Sequence, residues 1–203
     1  MNIMRNFWKD TVAGPAAEFA LVLPIVLLFL FGIIDVGRYM WEVNRAEKAT
    51  QTGARWAVAT DVIAQDLVNY SFAVDGGILQ GEPVPETAFP GVICTDSGDC
   101  QCADGGTCDF GLTRNADAFD ALVDRMDDIK PDIDGDKVTV NYAYSGLGFA
   151  GDPNGMDVAP QVTVSVSNLE FTPLIGAMFD ISFNLPDLSY SLTMEDGAGD
   201  WSN

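Results

Sequence analysis

The hydrophobic pattern begins with a run that has no polar side. Residues 19–34 are uncharged, lie between Glu18 and Asp35, and show no polar face at any helical period. With residues 16–17 the run approaches the roughly 20 residues that span about 30 Å of hydrocarbon as a helix. One alternative is a buried helix of a soluble protein, which the lack of any polar face disfavours. The other is a secretory signal, but the sequence that follows, DVGRYMWEVNR, has no small-x-small cleavage site. We therefore expect one membrane-spanning helix.

Beyond Asp35 the pattern changes to spacings of three and four, which are typical of one helix face. The pattern predicts that a single helix runs from about Pro15 to about Asp61, half in lipid and half amphipathic, with two helices meeting near Gly37 as the alternative. Pro24 is expected to kink this helix. The residues of the stripe are Val36, Tyr39 or Met40, Val43, Ala46, Thr50, Ala54, Ala57 or Val58, and Val62.

The rest of the chain predicts a sheet with one further helix. Residues 75–113 are rich in Gly, Pro, Asp and Thr without a sustained period, and we expect an irregular excursion there. The segment NADAFDALVDRMDDIKP predicts a surface helix, and strands are predicted at residues 137–144, 161–171 and 181–194. A long helix packed on an antiparallel sheet is an α+β fold, as in pilin-like subunits.

The charge is strongly acidic and unevenly distributed. Thirty acidic and ten basic residues give a net charge of −20, and six of the basic residues precede residue 56. The domain beyond Arg55 would repel nucleic acid, so we exclude DNA and RNA as partners. Arg5 and Lys9 before the run predict a cytoplasmic N-terminus and an extracytoplasmic domain.

The four cysteines fall inside the excursion, in the arrangement C-x5-C-x-C-x5-C, and the chain has no His. Because the Cys-x-x-Cys turns of zinc sites are missing and the domain faces an oxidising compartment, we expect two disulfides rather than a metal centre. A bond between Cys100 and Cys102 would close a small, strained ring. Two pairings remain: Cys94–Cys100 with Cys102–Cys108, or Cys94–Cys102 with Cys100–Cys108.

The remaining candidate chemistry is a calcium site in PDIDGDKV, formed by Asp132, Asp134 and Asp136. The spacing does not fit an EF-hand, and the alternative is a turn at Gly135 that leads into a strand. Apart from this candidate calcium ion, we expect no cofactor. Without His, and without a nucleotide or hydrolase fingerprint, we do not expect an enzyme.

The residues around the start of the run resemble a known family. TVAGPAAEF, followed by AAEFALVLP, is similar to class III prepilins and most closely to TadE-like minor pilins or pseudopilins of tight-adherence systems, which are related to type IV pili. GLGFAGDPNG, the VTVSV strand, TPLIGAMF and a closing strand that ends in Met-Glu also resemble that group. With the N-terminal segment, the resemblance covers most of the chain outside the excursion.

The resemblance implies that a prepilin peptidase cuts between Ala13 and Gly14, which makes Glu18 the fifth residue of the mature chain, followed by Phe19. Glu18 would then pair with the new N-terminal amine of a neighbouring subunit. Ala13 stands where the family usually has Gly, so an uncleaved leader is an alternative. For Glu18 the alternative is a residue that only caps the helix at the cytoplasmic interface.

The expected organisation is a cytoplasmic leader at 1–13, a transmembrane and amphipathic helix at 14–61, and an extracytoplasmic α+β domain at 62–203 with a Cys-rich loop at 75–113. The resemblance implies a minor pilin or pseudopilin, single-pass in the inner membrane, that takes part in assembling a tight-adherence pilus or secretion fibre for cell adhesion. Its partners would be other pilin subunits and the inner-membrane assembly platform. The alternative function is a single-pass tether that displays an acidic, calcium-dependent binding domain.

Overall fold

The computed structural model of the chain describes residues 14–103, 106–153, 155–178 and 180–194. The chain divides into two compact units. The first comprises the described part of Met1–Glu42 together with Phe171–Phe183. The second comprises Val43–Glu170 and the described part of Asn184–Asn203.

Helix α1 spans Gly14–Ala59 without a break, a length of 46 residues, and Pro24 lies inside it. The prediction of one long helix is confirmed, and the alternative of two helices meeting near Gly37 is wrong. In the second unit, α1 buries a face made mainly of small side chains. Its members are Ala46, Ala49, Thr50, Gly53, Ala54, Ala57 and Val58.

The predicted apolar stripe is confirmed from Ala46 onward but not at its start. Val36 and Met40 are exposed, whereas Tyr39, the alternative to Met40, and Val43 are half-buried. A period of three and four identifies which residues share a face, but it does not indicate where along the helix that face acquires a partner. Only the tertiary contacts of the second unit show that full burial of apolar side chains on α1 begins at Ala46.

Two shorter helices follow, α2 at Gln65–Asn69 and α3 at Ala116–Asp127. Helix α3 is the predicted surface helix, and the Asn115 side chain caps it by accepting a hydrogen bond from the Ala118 N–H at 3.1 Å. Its buried face contacts α1, since a Cβ at Gly53 would lie 2.5 Å from Met126 Sδ and 3.4 Å from a Leu122 methyl carbon. Glycine at this position lets the two helices approach closely.

The strands are β1 Val92–Thr95, β2 Gln101–Cys102, β3 Val138–Ala143, β4 Gln161–Val166, β5 Glu170–Phe171, β6 Phe183–Asn184 and β7 Leu188–Thr193. The main sheet has five antiparallel strands in the order β2-β1-β3-β4-β7. A separate pair, β5 and β6, forms a two-stranded sheet, and short 3-10 helices lie at Gly135–Lys137 and Gly176–Met178.

One face of the main sheet is buried and the other is polar. Val140 pairs with Cys94 on one side and Val164 on the other, and all three are buried. The buried Tyr142 hydroxyl accepts a hydrogen bond from the Ile63 N–H at 3.0 Å, and burial raises the pKa of Tyr142. The α+β prediction, a long helix with an antiparallel sheet, is confirmed.

Three features of the sheet differ from the prediction. Strands β1 and β2 lie inside the 75–113 excursion, which was predicted to be irregular, because four and two residues are too short to show a period between Gly and Pro residues. The predicted strand at 161–171 is broken near Asn168, whose φ is 58°. The predicted strand at 181–194 is interrupted between β6 and β7, because Pro186 has no backbone N–H to donate to a neighbouring strand.

Candidate membrane-anchoring and assembly site

The apolar run of α1 is exposed along its whole length in the first unit. All large apolar side chains at residues 19–34 are exposed, and Leu21 and Phe29 reach 72% and 71%. In the part of the chain that the structure describes, α1 is the one helix long and apolar enough to cross a membrane. A helix that is apolar on every side is stable only in an apolar environment, so length, composition and exposure all fit a membrane anchor.

Glu18 and Phe19 lie near the start of α1, and both are exposed. Glu18 is at least the fifth residue of the helix, because α1 already includes Gly14. A capping side chain precedes the helix that it caps, so the structure does not favour the capping alternative for Glu18. The carboxylate is accessible to a group outside the unit, and none of the ion pairs among the described residues involves it. Its pairing with a neighbouring amine remains a prediction.

The predicted cleavage site is only partly within the described residues. Ala13 lies outside them, and Gly14 is the first helical residue that the structure describes. Cleavage between the two residues remains a prediction.

Asp35 ends the apolar run and is buried, with 9% of its surface exposed, although its neighbours on α1 are open. Its Oδ1 accepts a hydrogen bond from the Leu174 N–H at 2.8 Å, and its Oδ2 accepts one from Ile175 at 3.5 Å. Arg38 Nη1 lies 3.1 Å from the same carboxylate. The Leu174 hydrogen bond, helped by Ile175 and Arg38 and opposed by burial, lowers the pKa of Asp35.

The segment that Asp35 holds consists of the described residues 172–178 and 180–183, which we call the docked loop. Hydrogen bonds from Ala177 N–H to Pro173 at 2.8 Å and from Ile181 N–H to Gly176 at 2.9 Å close it on itself. At its start, the ring of Phe171 meets Tyr39 edge-on with centroids 5.5 Å apart, and the Arg38 guanidinium lies 5.4 Å from the same ring. Sequence patterns missed this contact, although the Asp35/Arg38 pair at i, i+3 after an apolar run was a visible signal.

The four cysteines lie in the second unit and form two disulfides, Cys94–Cys100 and Cys102–Cys108. This is one of the two pairings that the spacing left open. The first bond joins the end of β1 to the loop before β2, and both of its cysteines are buried. The first disulfide closes the β1–β2 hairpin, and the second ties the end of β2 to Cys108 in the segment that follows it.

The proposed calcium ligands lie around the 3-10 turn before β3, as the turn alternative predicted. Lys137 Nζ donates to the Asp132 carbonyl at 2.8 Å and to Asp134 Oδ2 at 3.0 Å. Lys130 Nζ is 3.7 Å from Asp132 Oδ2, and Asp136 is exposed. Within the described ranges no group of three acidic or metal-binding side chains converges. Ammonium groups thus occupy the places next to these carboxylates, and calcium binding stays an untested prediction.

Comparison with protein families agrees with the resemblance noted from the sequence. Residues 16–55 match the family model of TadE-like proteins. The match includes Glu18, the apolar run, Asp35 and most of the buried face of α1, which is about one fifth of the chain. Searches of curated proteins and of solved structures found no match. The similarity to TadE-like proteins is therefore confirmed for the long N-terminal helix.

Proposed function

We propose that this protein is a minor pilin or pseudopilin that takes part in assembling a tight-adherence type pilus or secretion fibre. The observation that carries the proposal is the TadE-like match over a continuous helix whose first half is apolar on all sides and exposed. Proteins with a TadE-like segment are associated with pilus assembly at a membrane. The partners we propose are other pilin or pseudopilin subunits and the inner-membrane assembly platform.

The surface of the first unit supports contacts between helices. A shallow apolar groove on α1 is lined by Leu28, Phe29, Gly32, Ile33 and Val36. A Cβ added at Gly32 would meet nothing within 4 Å, so the groove is open. Small residues at such positions let a neighbouring helix approach closely in an apolar medium. The proposed orientation, with the N-terminus in the cytoplasm, rests on Arg5 and Lys9 before the run.

N-terminal sequencing of the protein extracted from membranes tests the proposal most directly. We expect a mature chain that begins at Gly14, because a fibre subunit must be released from its leader. The matched control is Gly14→Leu, which places a large side chain directly after the cut. We expect this variant to retain Met1. If the wild-type chain also retains Met1, the protein is instead a single-pass tether.

Glu18→Gln tests the assembly role of the carboxylate. The substitution removes the charge but keeps the shape, so we expect unchanged membrane insertion together with loss of co-purification with other pilus subunits. Glu47→Gln is the matched control, because Glu47 is another exposed carboxylate of α1, and it should leave co-purification intact. Equal co-purification of the wild type and both variants would show that Glu18 takes no part in assembly.

A further inference from the structure

The docked loop presents an unusual surface for a chain this acidic. Among residues 172–183 only Asp180 is charged, although charged residues make up 20% of the whole sequence. Three of its apolar side chains are exposed: Leu174 by 43%, Ile181 by 47% and Phe183 by 55%. Exposed apolar patches of this kind mark contact with another apolar surface.

The position of the loop identifies that surface. Asp35 directly follows the apolar run, and its carboxylate bonds the backbone N–H groups of Leu174 and Ile175. The backbone of the loop therefore lies within hydrogen-bond distance of the residue at which the run ends. The exposed Leu174 is thus next to the end of the run, Ile181 is tied back to Gly176 by a backbone hydrogen bond, and the exposed Phe183 belongs to the same unit as residues 19–34.

In the two turns past Asp35, helix α1 still exposes apolar side chains beside the charged Arg38 and Glu42. Val36, Met40 and Trp41 are all exposed. Trp41 lies six residues, or about 9 Å along the helix, beyond Asp35, which is close to the outer edge of a headgroup layer about 5–8 Å thick. Tryptophan is enriched in this layer because its ring is apolar with one polar edge. The helix and the loop thus share the composition expected of the membrane interface.

We propose that the docked loop lies in the outer interface of the bilayer, with Leu174, Ile181 and Phe183 inserted into lipid, and that Asp35 positions it there. This inference rests on the proposed membrane anchoring by α1. Electrostatic attraction to anionic lipid would not contribute, because residues after Arg55 carry four basic and twenty-five acidic side chains. The contact is therefore an apolar insertion, and it gives the protein a second membrane attachment far from the first in sequence.

Photocrosslinking of the full chain in proteoliposomes tests this inference. A benzoylphenylalanine replaces Phe183 or Ile181 in turn, with Phe29 as the reference inside the run and the exposed Leu79 of the second unit as the negative control. We expect adducts with labelled phosphatidylcholine at positions 183, 181 and 29, and none at position 79. A lipid adduct at position 29 without one at 183 and 181 would overturn the inference about the docked loop but not the membrane anchoring by α1. Lack of adduct at 29 would overturn the membrane anchoring as well.

A neighbouring protein subunit is the competing partner, and crosslinks from position 183 to protein instead of lipid would establish it and reject the lipid contact.

Asp35→Asn tests the positioning role, since the amide loses the charge that holds Arg38 and both N–H groups. We expect loss of lipid adduct at 183 with the adduct at 29 unchanged. Asp180→Asn is the matched control, because Asp180 is an exposed carboxylate of the same loop, and asparagine tolerates its φ of 55°. Equal loss in both variants, or loss in neither, would reject the role of Asp35.

Discussion

The two halves of α1 use apolar residues in opposite ways. The first half carries large side chains such as Leu21 and Phe29, which are exposed, whereas the second half buries small ones such as Ala46, Ala49 and Ala54 completely. Side-chain size separates them more clearly than hydrophobicity does. Small residues let a helix backbone approach folded protein closely, whereas fluid lipid adapts to side chains of any shape.

The same contrast holds for the two units. The described part of the first unit leaves the large apolar side chains of residues 19–34 exposed, and its buried Asp35 carboxylate holds the docked loop. The second unit buries its apolar residues between helices and one face of a sheet. We infer that the first unit is completed by lipid or by other subunits, while the second is completed by its own contacts. The following predictions test this difference.

The largest effect is expected from shortening the chain. A chain that begins at Asp35 retains the whole buried face of α1 and should be soluble and melt cooperatively. A chain that begins at Asp61 loses that face and uncovers side chains such as Leu122 and Met126, each worth about 1.5–3 kcal/mol when fully buried. Several such losses equal the roughly 5–15 kcal/mol that stabilises a domain, so we expect aggregation. Calorimetry and size-exclusion chromatography measure both results. Equally sharp melting of the two chains would show that α1 is not part of the core.

A smaller effect should distinguish two glycines of α1. Gly53→Leu forces a side chain into the space that Met126 occupies, where overpacking costs about 1–3 kcal/mol. Gly37→Leu is the matched control, since a Cβ there meets nothing within 4 Å, and it should leave the free energy of unfolding nearly unchanged because Gly37 lies in the first turn of the shortened chain. Urea unfolding of the chain beginning at Asp35 measures both values. A destabilisation at Gly37 as large as that at Gly53 would contradict the close approach of α1 and α3.

The smallest effect concerns the pH dependence of the docked loop. The Leu174 N–H lowers the pKa of Asp35 below its ordinary value of 3.8, so the carboxylate stabilises the docked state fully above pH 3.8. This contribution is lost as the pH falls through the lowered pKa of the folded state. We expect the Leu174 amide proton resonance to titrate with a midpoint below 3.8. Asp35→Asn should abolish this titration, and Asp180→Asn should not. A midpoint at or above 3.8 would contradict the hydrogen bond.

The sequence predicted those features that depend on composition and period over many residues. Four elements have patterns of six residues or more: the long helix α1, helix α3 and the central strands β3 and β4. The α+β class follows from these elements. Strands β1 and β2 were missed because they are short and separated by a disulfide-bonded loop. Their pairing with β3 supplies the order that their own sequence lacks.

Two buried carboxylates show the limit of pattern reading more directly. Asp35 accepts hydrogen bonds from Leu174 and Ile175, and Asp157 accepts them from Phe72 at 2.7 Å and Asp152 at 2.9 Å. In this sequence both are single acidic residues among thirty. Apart from the Asp152 N–H, the donors lie 85 to 140 residues away along the chain, so a local pattern does not show which backbone groups these two carboxylates bind.

The amino-acid sequence by itself determined the apolar run, the acidic domain, the cysteine-based crosslinking and the similarity to TadE-like proteins. These depend on residue type and local spacing, which the chain carries whether or not it is folded. The tertiary structure alone decided that Cys94 pairs with Cys100, that the apolar side chains of α1 become buried only from Ala46 onward, and that Asp35 bonds the backbone of Leu174 and Ile175. Each of these joins residues through a shared position in space, and that position is set by the packing of the whole unit.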